Sequence, residues 1–133
     1  MATLIDSSIL IAGERGKLDL RAKFAAQADE TFAIAAITAS ELIHGVHRAN
    51  TPERRAQREA AVEQLLSRIP VIPFDLLIAR IHGRVWAGLA AKGVTIGAHD
   101  LLIGATALAN GYSVATHDLR SFPKIPGLTV TRW

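Results

Sequence analysis

The run Thr3-Leu4-Ile5 delivers the chain into Asp6 and then into Ser7-Ser8-Ile9-Leu10-Ile11, so one carboxylate and two hydroxyls interrupt an otherwise apolar stretch. A short run that is apolar on successive residues reads as a strand buried on both faces, because a strand with one wet face would alternate. Asp6 then stands at the carboxyl end of a central strand, with Ser7 and Ser8 opening a helix. In open α/β sheets that edge is where ligands bind. A charge placed there is either a helix cap, a role that Asp favours, or one of several carboxylates gathered round a cation.

The rest of the chain alternates short apolar segments with longer helical patterns, the signature of an α/β domain. Helices are predicted over 7–12, with a break at Gly13 to Gly16, and over 18–28. Strands are predicted over 32–35, 71–74, 112–115 and 128–131, with Pro73 marking the third as an edge or ragged strand. After the second strand a helix runs to about His47, and Thr38 and Glu41 on it fit the capping-box spacing. Thr51 and Pro52 open a helix to about Ser67 whose apolar stripe is Val62, Leu65, Leu66 and Ile69. Asp75 caps a helix with Ile78, Ile81, Val85 and Leu89 inward, ending at Lys92-Gly93. The segment 101–109 is apolar nearly all round and so reads as a buried helix, ended by Asn110-Gly111.

At 133 residues the chain fits one domain over 1–133 with one core. It has no cysteine, which removes disulfides, thiolate metal sites and thiol nucleophiles, so any metal must sit on oxygen or imidazole. Asp6, Glu14, Arg15 and Lys17 interrupt the apolar start, so no export leader is expected. No segment reaches the roughly 18 apolar residues of a membrane span, and a soluble, cytoplasmic protein is expected. A net charge of +3 and a pI near 9.8 lean towards anionic partners, nucleic acid first.

Four acids recur at element junctions. Asp6 follows the first strand, Glu41 lies early in the helix after the second, Asp100 opens the buried helix, and Asp118 follows the fourth strand. Each has an ordinary explanation as a cap or first-turn acid. Gathered at one sheet edge, they would repel by roughly 4 kcal/mol per pair at about 4 Å and an effective dielectric of 20. A divalent cation removes that conflict, and oxygen-only ligation points to Mg²⁺ or Mn²⁺ holding a phosphate substrate. On that reading, deleting Asp6 relieves repulsion and leaves the metal-free protein at least as stable.

The segments Leu4-Ile5-Asp6-Ser7-Ser8-Ile9-Leu10-Ile11, Ala39-Ser40-Glu41-Leu42-Ile43-His44-Gly45-Val46, Ile96-Gly97-Ala98-His99-Asp100-Leu101-Leu102-Ile103-Gly104-Ala105-Thr106-Ala107 and Thr116-His117-Asp118 resemble the successive motifs of PIN-domain ribonucleases. More narrowly they resemble the VapC toxins of toxin–antitoxin pairs, down to the closing Ile125-Pro126-Gly127-Leu128. The resemblance implies a three-layer α/β/α domain with a mostly parallel sheet of about five strands. It also implies Mg²⁺- or Mn²⁺-dependent endoribonuclease activity leaving 5′-phosphate and 3′-hydroxyl ends, a VapB-type antitoxin and a homodimer. Catalytic and metal-binding roles carry over to Asp6, Glu41, Asp100 and Asp118.

Further candidates surround these acids. Thr116 looks like the family's hydroxyl residue before the last acid and is taken as a substrate contact, as is His99 at the rim. Arg54, Arg55 and Arg58 read as a solvated helix face, with the RNA backbone as their alternative partner. Ser8 needs no role beyond starting its helix, and His44 and His47 read as ordinary polar residues. Two other functions fit an acidic sheet edge: an Asp-dependent Mg²⁺ phosphotransfer or phosphohydrolase protein, which would want a second acid beside Asp6, and a catalytically silent PIN-like module that binds RNA or protein.

Overall fold

A computed structural model describes residues 2–133. Five strands, β1 (Ala2–Ile5), β2 (Thr31–Ala35), β3 (Val71–Ile72), β4 (Ser113–Thr116) and β5 (Val130–Arg132), form one sheet in the order β3-β2-β1-β4-β5, with every pair parallel. The helices are α1 (Ser7–Glu14), α2 (Leu20–Ala26), α3 (Ala36–His47), α4 (Pro52–Arg68), α5 (Leu76–Ala91) and α6 (Ala98–Asn110), with a 3₁₀ turn at Phe122–Lys124. Among the described residues no helix is long and apolar enough to cross a membrane.

The strands are apolar without alternation because both faces of the sheet are covered. Leu4, Ala33, Ala35 and Val114 point to one side and pack with Leu89 of α5 and Leu101, Ile103 and Ala107 of α6. Their neighbours Ile5, Ile34 and Ala115 point to the other and pack with Ile9 and Leu10 of α1, Leu42 and Val46 of α3 and Val62 of α4. This is the expected three-layer arrangement, and successive residues of one strand serve different cores because side chains alternate across the pleat. Ile5 and Ile34 have no exposed surface. Truncating either to Ala is expected to cost about 2–5 kcal/mol through lost burial and the cavity left behind.

Local signals decide most helix ends. Thr51 Oγ1 accepts a hydrogen bond from the Arg54 amide at 3.2 Å, with Pro52 at the first helical position, where a missing N–H costs nothing. Asp75 Oδ1 accepts from the Ile78 amide at 2.9 Å. Gly111 ends α6 at φ 68°, a left-handed conformation that favours glycine. As Pro73 suggested, β3 is a two-residue edge strand.

The capping box does not form. Helix α3 starts at Ala36, directly after β2, with Ala35 as its cap residue. Thr38 and Glu41 are therefore both inside the helix rather than closing its end, so Glu41 is free to serve something else.

Candidate active site

Strand β1 is central, with β2 on one side and β4 on the other, so the strand order reverses beside it. The carboxyl ends of the strands on either side of that reversal leave a crevice, the usual ligand position in such sheets. Asp6 follows β1 directly, and its amide donates to Ala115 O of β4 at 3.0 Å. Although it occupies the cap position of α1, its side chain makes no cap bond.

Asp6 is instead held by two hydroxyls. Its Oδ2 accepts from Ser8 Oγ at 2.7 Å and from Thr116 Oγ1 at 2.8 Å. Each hydroxyl is held in turn by an amide of the segment after β4: His117 N–H donates to Ser8 Oγ at 3.1 Å, and Asp118 N–H donates to Thr116 Oγ1 at 2.8 Å. Such chains polarise, each amide sharpening the hydroxyl that serves the carboxylate. The result is a carboxylate only 3% exposed with one oxygen fully engaged. Its Oδ1 has only the 3.5 Å approach of Ser7 Oγ and is the oxygen left for a ligand.

The other acids reach the crevice from helices. Burial raises the Glu41 pKa, and the negative charge of Asp6 adds to the rise, while His99 opposes it. His99 Nδ1 lies 3.6 Å from Glu41 Oε2, whereas Oε1 is buried with no hydrogen-bond partner. Asp100, in the first turn of α6, is also raised, chiefly by burial, against the lowering effect of the Ser121 hydroxyl. The charges of Asp6, Asp118 and Glu41 push it further. These mutual effects put the four acids in one electrostatic neighbourhood. Asp118 differs, because its Oδ1 accepts from the Arg120 amide at 2.9 Å and the Ser121 amide at 3.4 Å, and these bonds lower its pKa.

Two expectations change on this geometry. Thr116 has no exposed surface, and its hydroxyl donates to Asp6 and accepts from the Asp118 amide, an arrangement that positions a carboxylate. The arginines divide: Arg54 and Arg58 line a cleft of about 760 Å³ that also includes Glu41 and His99, whereas Arg55 is not part of its wall. Ser8 was missed as a site residue; the signal was its place two residues after an Asp at a strand end. Thr38 was misread as a cap; it is fully buried, and its hydroxyl has no partner.

The carboxylates and hydroxyls supply oxygen donors, with the His99 imidazole beside Glu41; two carboxyls are pushed up by burial and crowding, and one carboxylate oxygen is buried without a partner among the described residues. That set suits a hard divalent cation, which supplies what each of these groups lacks. As the side chains stand, no three His, Asp or Glu among the described residues are close enough together to grip one ion. Asp118 in particular is turned to its own backbone.

The family model for the PIN domain matches residues 3–128. Ribonuclease VapC1 of Rickettsia felis is 36% identical over 130 residues, covering 98% of this chain and 95% of that protein. The tRNA(fMet)-specific endonuclease VapC of Salmonella typhimurium is 38% identical over 100 residues, 75% of this chain and 74% of that one. Among solved structures, VapBC2 of Rickettsia felis bound to a promoter DNA fragment superposes with a TM-score of 0.90 at 26% identity, covering 100% of this chain and 99% of that one. DNA-bound VapBC of Salmonella typhimurium gives 0.89 at 32% identity, covering 100% and 98%.

Proposed function

The chain belongs to the PIN-domain family, and from that premise we propose that it is the toxin of a VapBC-type pair, an endoribonuclease that hydrolyses RNA phosphodiesters with the help of Mg²⁺ or Mn²⁺. The observation that carries the metal reading is the opposition between Asp6, Glu41 and Asp100: three carboxyls around one crevice, with Glu41 and Asp100 both raised first by burial and then by the charge of Asp6, and Asp100 by those of Asp118 and Glu41 as well. A protein gains nothing in stability from such an arrangement unless a cation joins it. The match over nearly the whole chain supports reading 1–133 as a single nuclease domain.

Asp6, Glu41 and Asp100 would hold the ion, with Asp118 able to join by leaving its turn. A divalent cation held there would supply Lewis-acid chemistry, making a bound water more acidic and offsetting charge on the phosphate. The chain's own contribution is placement. Ser8 and Thr116 fix one Asp6 oxygen and leave the other lightly engaged, and His99 lies beside one Glu41 oxygen while the second is buried without a partner among the described residues. His99, at the rim, is also placed to meet substrate.

The partners follow from the similar complexes, which pair a VapC with a VapB. We assign this protein a VapB-type antitoxin, a homodimeric toxin and work on RNA in the cytoplasm. Purified protein is expected to cleave single-stranded RNA with Mg²⁺ or Mn²⁺, to stop in EDTA, and to lose cleavage in Asp100→Asn. Unchanged growth and intact RNA on expression without antitoxin, with the protein folded and metal-loaded, would remove the toxin reading.

A further inference from the structure

The cleft that begins at Glu41 and His99 extends outward between α1, α3 and α4, and four arginines line it. Arg15, Arg48, Arg54 and Arg58 face it, against the carboxylates of Glu14 and Glu41. Two of the four are partly engaged. Arg54 Nη1 donates to Asn50 Oδ1 at 2.9 Å, and Arg58 Nη1 donates to Gly45 O at 3.1 Å with Nε 3.6 Å from Glu14 Oε1. The side chains of Arg15 and Arg48 have no hydrogen-bond or ion-pair partner among the described residues. Both are exposed to solvent, so their donors are open to an anion that enters the cleft, and the planar guanidinium fork suits phosphate.

Position along α3 sets the scale. Glu41, Gly45 and Arg48 follow helical spacing, so they share one face. Arg48 lies about 10 Å along the helix axis from Glu41 at 1.5 Å per residue. A polymer whose phosphate sits at the carboxylates must leave the crevice by some route, and this one presents guanidinium groups a few nucleotides away. Gly45 lies between the two ends, with open space where a Cβ would stand, so α3 puts no side chain into the cleft at that point.

We infer that the α1–α3–α4 cleft carries the RNA backbone to one side of the cleaved bond, with Arg15 and Arg48 as its phosphate contacts and Arg54 and Arg58 as its outer wall. This rests on the proposed ribonuclease function. It adds the route of the substrate and gives Arg15 and Arg48 a role that sequence reading did not assign them. It also divides the arginine run of α4, leaving Arg55 outside. Phosphate contacts position the strand without reading its bases, so the cleft contributes affinity and register rather than sequence choice.

The test measures binding of a single-stranded RNA oligonucleotide against salt, with Asp100→Asn in every arm so that the RNA survives. Arg15→Gln with Arg48→Gln is compared with the parent and with Arg80→Gln/Lys92→Gln, which removes equal charge from α5 and the turn after it, on the other side of the sheet. Losing two contacts on a single strand should flatten the slope of log affinity against log salt by about 1.4. Between 50 and 200 mM salt the parent should then lose roughly sevenfold more affinity than the double variant. The α5 control should keep the parent slope, and Arg15→Lys/Arg48→Lys should restore it. A parent-like slope in the Gln pair, while protein with native Asp100 cleaves RNA, overturns the inference and leaves the ribonuclease reading intact. The same holds if the Gln pair keeps RNA affinity and instead loses antitoxin binding, which would make the cleft a protein-docking surface. If neither cleavage by the native protein nor RNA binding by the parent is found, both readings fall together.

Discussion

The two halves of the crevice are built on opposite principles. On the sheet side Asp6 is almost fully buried yet well served, with two hydroxyl donors that are themselves fixed by backbone amides. On the helix side Glu41 and Asp100 are less buried but poorly served, with raised pKa values, one oxygen without a partner among the described residues and an exposed His99 ring 3.6 Å from Glu41. Burial by itself does not decide whether a carboxylate strains a fold; the number of hydrogen bonds it accepts does. The sheet half is complete in the protein alone. The helix half is left short of positive charge, which is where a cation would act.

Removing acids one at a time should break this symmetry most visibly. Asp6→Ala and Asp100→Ala are both expected to reduce RNA cleavage by at least about 10²–10³-fold, the scale of losing one preorganised charge at a reacting group. Their metal-free stabilities should part. Asp6→Ala leaves the Ser8 and Thr116 hydroxyls without their acceptor and should cost about 2–4 kcal/mol by denaturant melts. Asp100→Ala removes a crowded charge and should leave the metal-free protein as stable or more so. This replaces the expectation that loss of Asp6 would be harmless to the apo protein, which took crowding into account and not the bonds that offset it. Equal destabilisation by both would erase the distinction between the halves.

A smaller effect tests the bonds themselves. Thr116→Val keeps the shape and deletes the donor, so the apo protein should lose about 1–3 kcal/mol. Cleavage should fall about 10–100-fold with substrate KM little changed, as for a group that orients a ligand-holding side chain. Thr116→Ser should recover most of both. A rise in KM alone would return Thr116 to the role of substrate contact.

Thr38 is the helix half's counterpart, a buried hydroxyl with no partner. Thr38→Val should be neutral or raise apo stability by about 1 kcal/mol, because an unsatisfied hydroxyl is removed at constant volume. A drop in melting temperature would show that the hydroxyl has a partner that matters, such as an ordered water shared with Glu41.

The weakest expected signal is in pH. For Glu41 and Asp100 the folded pKa lies above the unfolded one, so the native state binds more protons. Their contribution favours the fold below the ordinary carboxylate range and is lost as pH rises through it to the raised values. Asp6 faces both groups, Asp118 and Glu41 face Asp100, and the His99 ring lies beside Glu41. Asp118, with a lowered pKa, has the opposite sign: its support is present above its unfolded value and lost in acid. In metal-free protein, Asp100→Asn should therefore reduce the fall in stability on going from about pH 4 to 7. Apparent Mg²⁺ affinity, followed by calorimetry, should weaken towards acid as protons compete for the same oxygens. An identical pH profile in Asp100→Asn would mean that its charge is not crowded.

The sequence by itself determined the architecture and the cast of acids. The non-alternating strands, the caps at Thr51 and Asp75 and the apolar segment of α6 all depend on neighbours within a few residues, so a local pattern carries them. The acids were visible because strand ends and helix starts are themselves local features. Asp118 binds the amides of its own turn, but only the tertiary structure decided what Asp6, Glu41 and Asp100 meet from distant parts of the chain. Ser8 and Thr116 lie 108 residues apart and meet on Asp6 because β1 and β4 pair. Thr38 and Glu41 have capping spacing, yet α3 begins upstream of them, where the chain leaves β2 without a loop. Arg54 and Arg58 turn towards the cleft while Arg55 does not, since each residue of a helix is rotated by about 100° from the last. Contacts of this kind come from how elements pack, and sequence spacing fixes a residue's face on its own helix without saying what that face will meet.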